Sequence, residues 1–122
     1  MRGHRDLLVW QKAMVLVTDI YRVTSDFPRH ELYGLVSQLR RAAVSIPSNL
    51  AEGHARNSKN EFRQFVGQAR GSLSEVETQI EISRNLGYLG DGAADKLLEK
   101  IGELGRMLTG PASVVLSRET SR

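Results

Sequence analysis

The chain contains no cysteine, an absence that removes disulfides, thiolate metal sites and cysteine nucleophiles together and suits a reducing compartment. Long apolar runs are missing as well. Nothing approaches the ~20 residues a membrane-crossing helix needs, and near the N-terminus only Leu7 to Trp10 form an apolar run before Gln11 and Lys12, too short for a signal peptide. These absences imply a soluble, cytoplasmic protein with no membrane partner. Aromatic residues are scarce, at three Phe, three Tyr and one Trp, which argues against a base-stacking surface for single strands. Charge of one sign is also modest. Seventeen Lys and Arg against 14 Asp and Glu give +3, compatible with an anionic partner without requiring one. Thirteen of those 17 cations are arginines, whose planar forks pair with carboxylate or phosphate; a high-GC coding bias enriches arginine equally. Strand-like alternation and internal repeats do not occur.

What is present is helical periodicity in a chain the size of one domain. The spacing predicts helices over about 6–23, 33–55, 59–86 and 92–109, with a tail, 112–122, expected to be disordered. Asp6 is placed to cap the first helix, and Pro28 lies beyond its end. That helix carries two apolar stripes, one of Leu7, Trp10, Met14, Val17 and Tyr21, the other of Val9, Ala13, Leu16 and Ile20. One bundle buries a stripe of only a little over 100°. The excess implies either the most buried helix of the bundle or a contact with another copy of the chain, through Leu7, Val9, Trp10, Ala13, Leu16 and Ile20.

The second helix is the most informative stretch. Leu35, Leu39, Ala42 or Ala43, Ile46, Leu50 and Gly53 form its apolar side, while Arg41, Ser45, Ser48 or Asn49, Glu52 and Arg56 share another. Pro47 interrupts the pattern, which predicts a kink or two short helices. A kink is the better reading, because the hydroxyls of Ser45 and Ser48 are placed to satisfy backbone groups that the proline frees. Ser58 and Glu61 give the S-x-x-E pattern that starts a third helix. On that helix Gly67, Gly71 and Ser74 make a small-residue stripe, assigned to close packing of a neighbouring helix. The glycines of LGYLGDG mark the next break, and Asp91 is placed to cap the fourth helix. Short connections between four amphipathic helices imply an all-α, antiparallel up-down-up-down bundle.

Several segments carry a family likeness: LVWQK at Leu8 to Lys12, YGLVSQ at Tyr33 to Gln38, Arg40 to Arg56 with its proline, and ARGSLSEVETQ at Ala69 to Gln79. From Asp6 to about Leu89 the chain resembles the bacterial four-helix-bundle family encoded within intervening sequences of 23S ribosomal RNA genes. That family includes relatives of the accessory protein of diversity-generating retroelements. The resemblance implies an antiparallel bundle assembled as a homopentameric ring, and it supplies no established activity. The retroelement relatives are non-catalytic accessories that bind nucleic acid and a reverse transcriptase, so nucleic acid and a protein are the partners it suggests.

No catalytic, cofactor-binding or metal-ligating set emerges from the residues. His4, His30 and His54 have neither the spacing of a helical zinc pair nor a Glu-x-x-His motif. Phosphate loops and dinucleotide fingerprints are absent. Two groupings remain. Arg41, Ser45, Asn49, Glu52, Arg56 and Arg70 are expected to form a partly buried polar network that fixes the kink or joins subunits. Arg40, Arg41, Arg56 and Arg63 are the alternative, an anion or nucleic-acid contact repeated around a ring. The expected function is a non-catalytic homo-oligomeric scaffold; the competing one is a small-molecule-binding protein or enzyme with an inter-subunit pocket near Glu52.

Overall fold

A computed structural model describes residues 3–118. Four long helices make the fold: α1, Leu8–Thr24; α2, Leu35–Ala55; α3, Lys59–Asn85; and α4, Asp91–Thr109. A short helix, α5, Ala112–Val115, follows, and 3-10 turns at His4–Asp6 and Arg29–Glu31 precede α1 and α2. Among the described residues there is no strand; an isolated bridge joins Leu7 to Arg118.

Neighbouring helices run antiparallel around a closed square, α1 against α2 and α4, α3 against α2 and α4. Thr24 at the end of α1 meets Arg40 near the start of α2. Along the α2–α3 pair, Gln38 meets Gln79, Ser45 meets Ser72 and Gly53 meets Phe65. Arg84 reaches Asp95, and Lys100 reaches Asp19 across α1 and α4. This is the up-down-up-down order that short connections impose.

On α1 the two stripes separate cleanly. Val9, Ala13, Leu16 and Ile20 are fully buried in the chain's own core, and so is Leu7 just before the helix. Those five residues, expected at a subunit interface, are taken up by the chain's own core. They point between α2 and α4, where burying each large side chain contributes about 1.5–3 kcal/mol. Trp10 and Val17 are only partly buried, whereas Met14, Val15 and Tyr21 stay exposed. The helix starts from Leu7 as N-cap, with no side-chain cap, so Asp6 is not its capping residue.

α2 is one continuous helix, with Pro47 buried inside it. Two short helices do not form. The serines beside the proline act otherwise than expected: the Ser45 hydroxyl pairs with Ser72 and Asn49, and Ser48 is exposed with no side-chain hydrogen bond. The C-terminal turn of α2 lies tight against α3, since a Cβ at Gly53 would stand 2.8 Å from the Phe65 Cβ. Ser58 caps α3 by accepting from the Glu61 N–H at 3.1 Å. That helix ends before Gly87, whose φ of +78° suits glycine. Gly90, not Asp91, is the N-cap of α4.

Two expectations fail on packing grounds. Gly67 and Gly71 are not pressed by a neighbouring helix: a Cβ at Gly71 would meet nothing within 4 Å, and one at Gly67 only the Arg70 guanidinium at 3.9 Å. They line an open groove with Gly102, Gly105 and Thr109 of α4. The tail is also ordered over residues 112–118, because Val115 is buried and Leu8 donates its N–H to the Ser117 carbonyl at 3.0 Å. Residues 119–122 lie outside the described range.

Candidate functional site

The polar side of α2 divides into three places. In the middle, Ser45 Oγ and Ser72 Oγ stand 2.8 Å apart across α2 and α3, and Asn49 Nδ2 donates to both Ser45 Oγ (2.9 Å) and Ser45 O (2.8 Å). All of these groups are partly buried, so the seam is a satisfied helix-to-helix joint. One turn toward the C-terminus, Arg56 donates to Glu52 at 2.7 Å, lies 3.8 Å from Glu61 and stacks on the Phe65 ring at 5.1 Å. This pair is about half exposed and adds little stability in water. Toward the N-terminus, Arg41 is exposed beside a cleft of about 490 Å³ that it shares with Tyr33, Ser37, Gln38, Ser45, Ser72 and Glu75.

Arg41 and Arg70 join neither cluster; among the described residues each lacks an ion-pair or hydrogen-bond partner. The six-residue network is therefore two separate clusters with two outlying arginines. Arg70 fails to join because it lies on the α4 side of α3, lining the glycine groove. Glu52 lines none of the clefts described here and spends its charge on Arg56.

The four arginines read as an anion contact also scatter. Arg40 is committed to α1, donating from Nε to Thr24 Oγ1 at 2.9 Å and from Nη2 to the Tyr21 carbonyl at 3.3 Å, with its guanidinium 4.5 Å from the Tyr21 ring. It ties two helices, and it lines a cleft of about 440 Å³ with Thr24, Pro28, Leu32 and Val36. Arg41 faces the α2–α3 cleft, at the other end of the bundle from Arg56 and Arg63. Those two do meet, around a cleft of about 360 Å³ with His54, Asn57, Ser58, Lys59, Phe62, Ala112 and Leu116. Arg63 also lines a second cleft of about 410 Å³ with Arg70, Leu108 and Val115.

Sequence reasoning missed two groups. Ser72, Tyr33 and Glu75 complete the α2–α3 cleft; the antiparallel register that sets Ser72 opposite Ser45 was the available signal. The second is a clasp between the α1–α2 and α3–α4 connections. Tyr88 donates its hydroxyl proton to Glu31 Oε2 at 2.9 Å and touches Phe27, while Glu31 Oε1 accepts the Leu35 N–H at 3.1 Å at the start of α2. The Leu35 bond, then the Tyr88 bond, hold the Glu31 carboxyl below its ordinary pKa, and the Glu31 bond raises that of Tyr88. At the opposite end burial, then the charges of Arg118 and His4, lower the pKa of His54.

The sequence matches the family model for the 23S rRNA-intervening sequence protein over residues 5–110. The chain belongs to that family. A solved structure of the fold is the crystal structure of a protein of unknown function from the S23 ribosomal protein family of Bacteroides thetaiotaomicron. It is 18% identical, covers 83% of this chain and 94% of its own, and superposes with a TM-score of 0.75, which fixes the fold alone. None of the curated proteins matches the chain. Family membership thus agrees with the helical architecture and carries no assigned activity. Among the described residues no helix is long and apolar enough to cross a membrane, and no cluster of three metal-ligating side chains occurs.

Proposed function

We propose that this member of the 23S rRNA-intervening sequence protein family is a non-catalytic helical scaffold, working in the cytoplasm, that assembles with copies of itself and associates with nucleic acid. The observation that carries self-assembly is the outer surface of α1. With its core stripe spent inside the bundle, the helix still exposes Met14 at 40%, Val15 at 51% and Tyr21 at 42%. Covering a patch of this kind is favourable, and another copy of the same chain is its simplest cover. A ring of five is the assembly implied by the resemblance, and a bend at Pro47 would shape each subunit for it. Light scattering at micromolar concentration tests the assembly: a mass near five times 13.6 kDa is expected, and a monomer overturns it.

Association with nucleic acid is favoured by arginines left without carboxylate partners, Arg41, Arg63 and Arg70 among them. Binding of RNA and DNA measured over a salt series is expected to weaken steeply as salt rises. Absence of binding at low salt removes this part of the reading and leaves the scaffold. A protein partner, if the scaffold has one, is open to the same solution measurement as a shift in mass.

A further inference from the structure

The charges of the bundle are divided between its two ends. The half made by residues 3–14, 48–70 and 101–118 holds eight Lys and Arg against four Asp and Glu; the half made by residues 15–47 and 71–100 holds seven against nine. At the basic end every carboxylate already has a cation: Asp6 has Arg118, Glu52 and Glu61 share Arg56, and Glu103 has Lys12. The five remaining cations, Arg5, Lys59, Arg63, Arg70 and Arg106, are exposed and have no ion-pair partner among the described residues. At the other end the surplus is of carboxylates, since Asp26, Glu75, Glu77, Asp91 and Glu99 have no cation within salt-bridge distance among the described residues.

We propose that Lys59, Arg63 and Arg70 form a contact surface for the phosphodiester backbone of nucleic acid. The proposal rests on the nucleic-acid association above and places it on one face. At 100° per residue the three side chains leave α3 within about 40° of one another, and at 1.5 Å per residue they extend over about 16 Å. A straight row of cations suits a polymer with a charge at each repeat better than a compact anion. Arginine adds forked donors that match phosphate oxygens. The relief around the row fits a chain lying across it, because Arg63 lines two clefts, of about 360 and 410 Å³. Arg56 offsets one of the two charges of Glu52 and Glu61, so an approaching phosphate meets less repulsion here than at the carboxylate-rich end. Contacts of this type read no bases, so RNA and DNA of equal length and strandedness are expected to bind comparably.

The test uses the full chain, fluorescent 20-nucleotide RNA and DNA strands, and anisotropy titrations between low and physiological salt. The triple substitution Lys59→Gln, Arg63→Gln, Arg70→Gln is compared with Arg22→Gln, Arg29→Gln, Lys96→Gln, which removes the same charge from the other end. All six side chains are exposed, and circular dichroism verifies that both variants remain helical. The first variant is expected to bind at least tenfold more weakly at low salt, with the slope of log K against log salt shallower by about 2–3. The second is expected to change each by less than half as much. Equal losses in both variants overturn the surface while nucleic-acid association stands. No binding by the unaltered protein at low salt overturns both.

Discussion

At the residue scale, the clasp of Glu31 and Tyr88 makes part of the fold's stability depend on pH. Glu31 has a folded pKa below its unfolded value, so its contribution is present above about pH 4.3 and is lost as pH falls through the folded value. Tyr88 is shifted upward, so its contribution is present below about pH 10 and is lost as pH rises through its folded value. His54, also shifted downward, loses its contribution as pH falls below about 6.5, so the three groups together predict a plateau from about pH 6.5 to 10. Glu31→Gln is expected to lower the melting temperature on the plateau, because an amide is a weaker acceptor for both the Leu35 N–H and the Tyr88 hydroxyl. The difference from the unaltered protein should shrink as the solution is acidified below the folded pKa of Glu31. Thermal unfolding followed by circular dichroism at a series of pH values checks both statements, and a constant difference across the series would contradict them. Nothing in the sequence marks this clasp: 57 residues separate Glu31 from Tyr88, and only the fold brings the two connections together.

At the scale of elements, helix-interior glycines of like appearance have opposite roles. Gly53 is required where α2 closes on α3, because an added Cβ would stand 2.8 Å from the Phe65 Cβ and 3.4 Å from the Phe62 carbonyl oxygen. Gly71 faces open space. Gly53→Ala is therefore expected to destabilise by about 1–3 kcal/mol through forced separation of the helices. Gly71→Ala is expected to stabilise by about 1 kcal/mol, the difference in helix propensity. Urea unfolding of the two variants gives both values, and the same sign for each would overturn the contrast. The four long helices were legible because 3.6-residue periodicity recurs in each, and Ser58 with Glu61 marked the start of α3 to the residue. Which apolar stripe of α1 turns inward was not legible. Val9, Ala13, Leu16 and Ile20 compete with Trp10, Met14, Val17 and Tyr21 on equal hydrophobic terms, and the choice depends on where α2 and α4 stand. The polar face of α2 was legible as a set of residues but not as a network, since a helical projection places residues on a side without saying how far along the axis their partners lie. For the same reason Arg40 and Arg63 looked alike, although one is tied to Thr24 and the other has no partner among the described residues.

At the scale of the whole molecule, the two termini close the same end of the bundle. Composition made the segment after Gly110 look like a tail, with only Val114 to Leu116 apolar before a polar finish. In the fold that short run is enough. Val115 is 2% exposed, the Leu8 N–H is taken by the Ser117 carbonyl, and Arg118 reaches both the Gly3 carbonyl at 3.3 Å and Asp6 at 3.8 Å. Leu7, itself fully buried, bridges to Arg118 from the other strand of this closure. Deleting residues 112–122 would uncover apolar surface at Val115's site and return the Leu8 N–H to water. Burial of a valine side chain is worth about 1.5–3 kcal/mol at most, and the exposed ion pair adds little. The truncated chain is therefore expected to remain a cooperatively unfolding four-helix bundle that is less stable by about 2 kcal/mol, read as a lower urea midpoint at unchanged helicity. A disordered tail would make the same deletion neutral within about 0.5 kcal/mol, as for surface changes that touch nothing. The single substitution Val115→Ala separates the causes: if burial dominates, it reproduces most of the loss while leaving the Leu8–Ser117 bond in place.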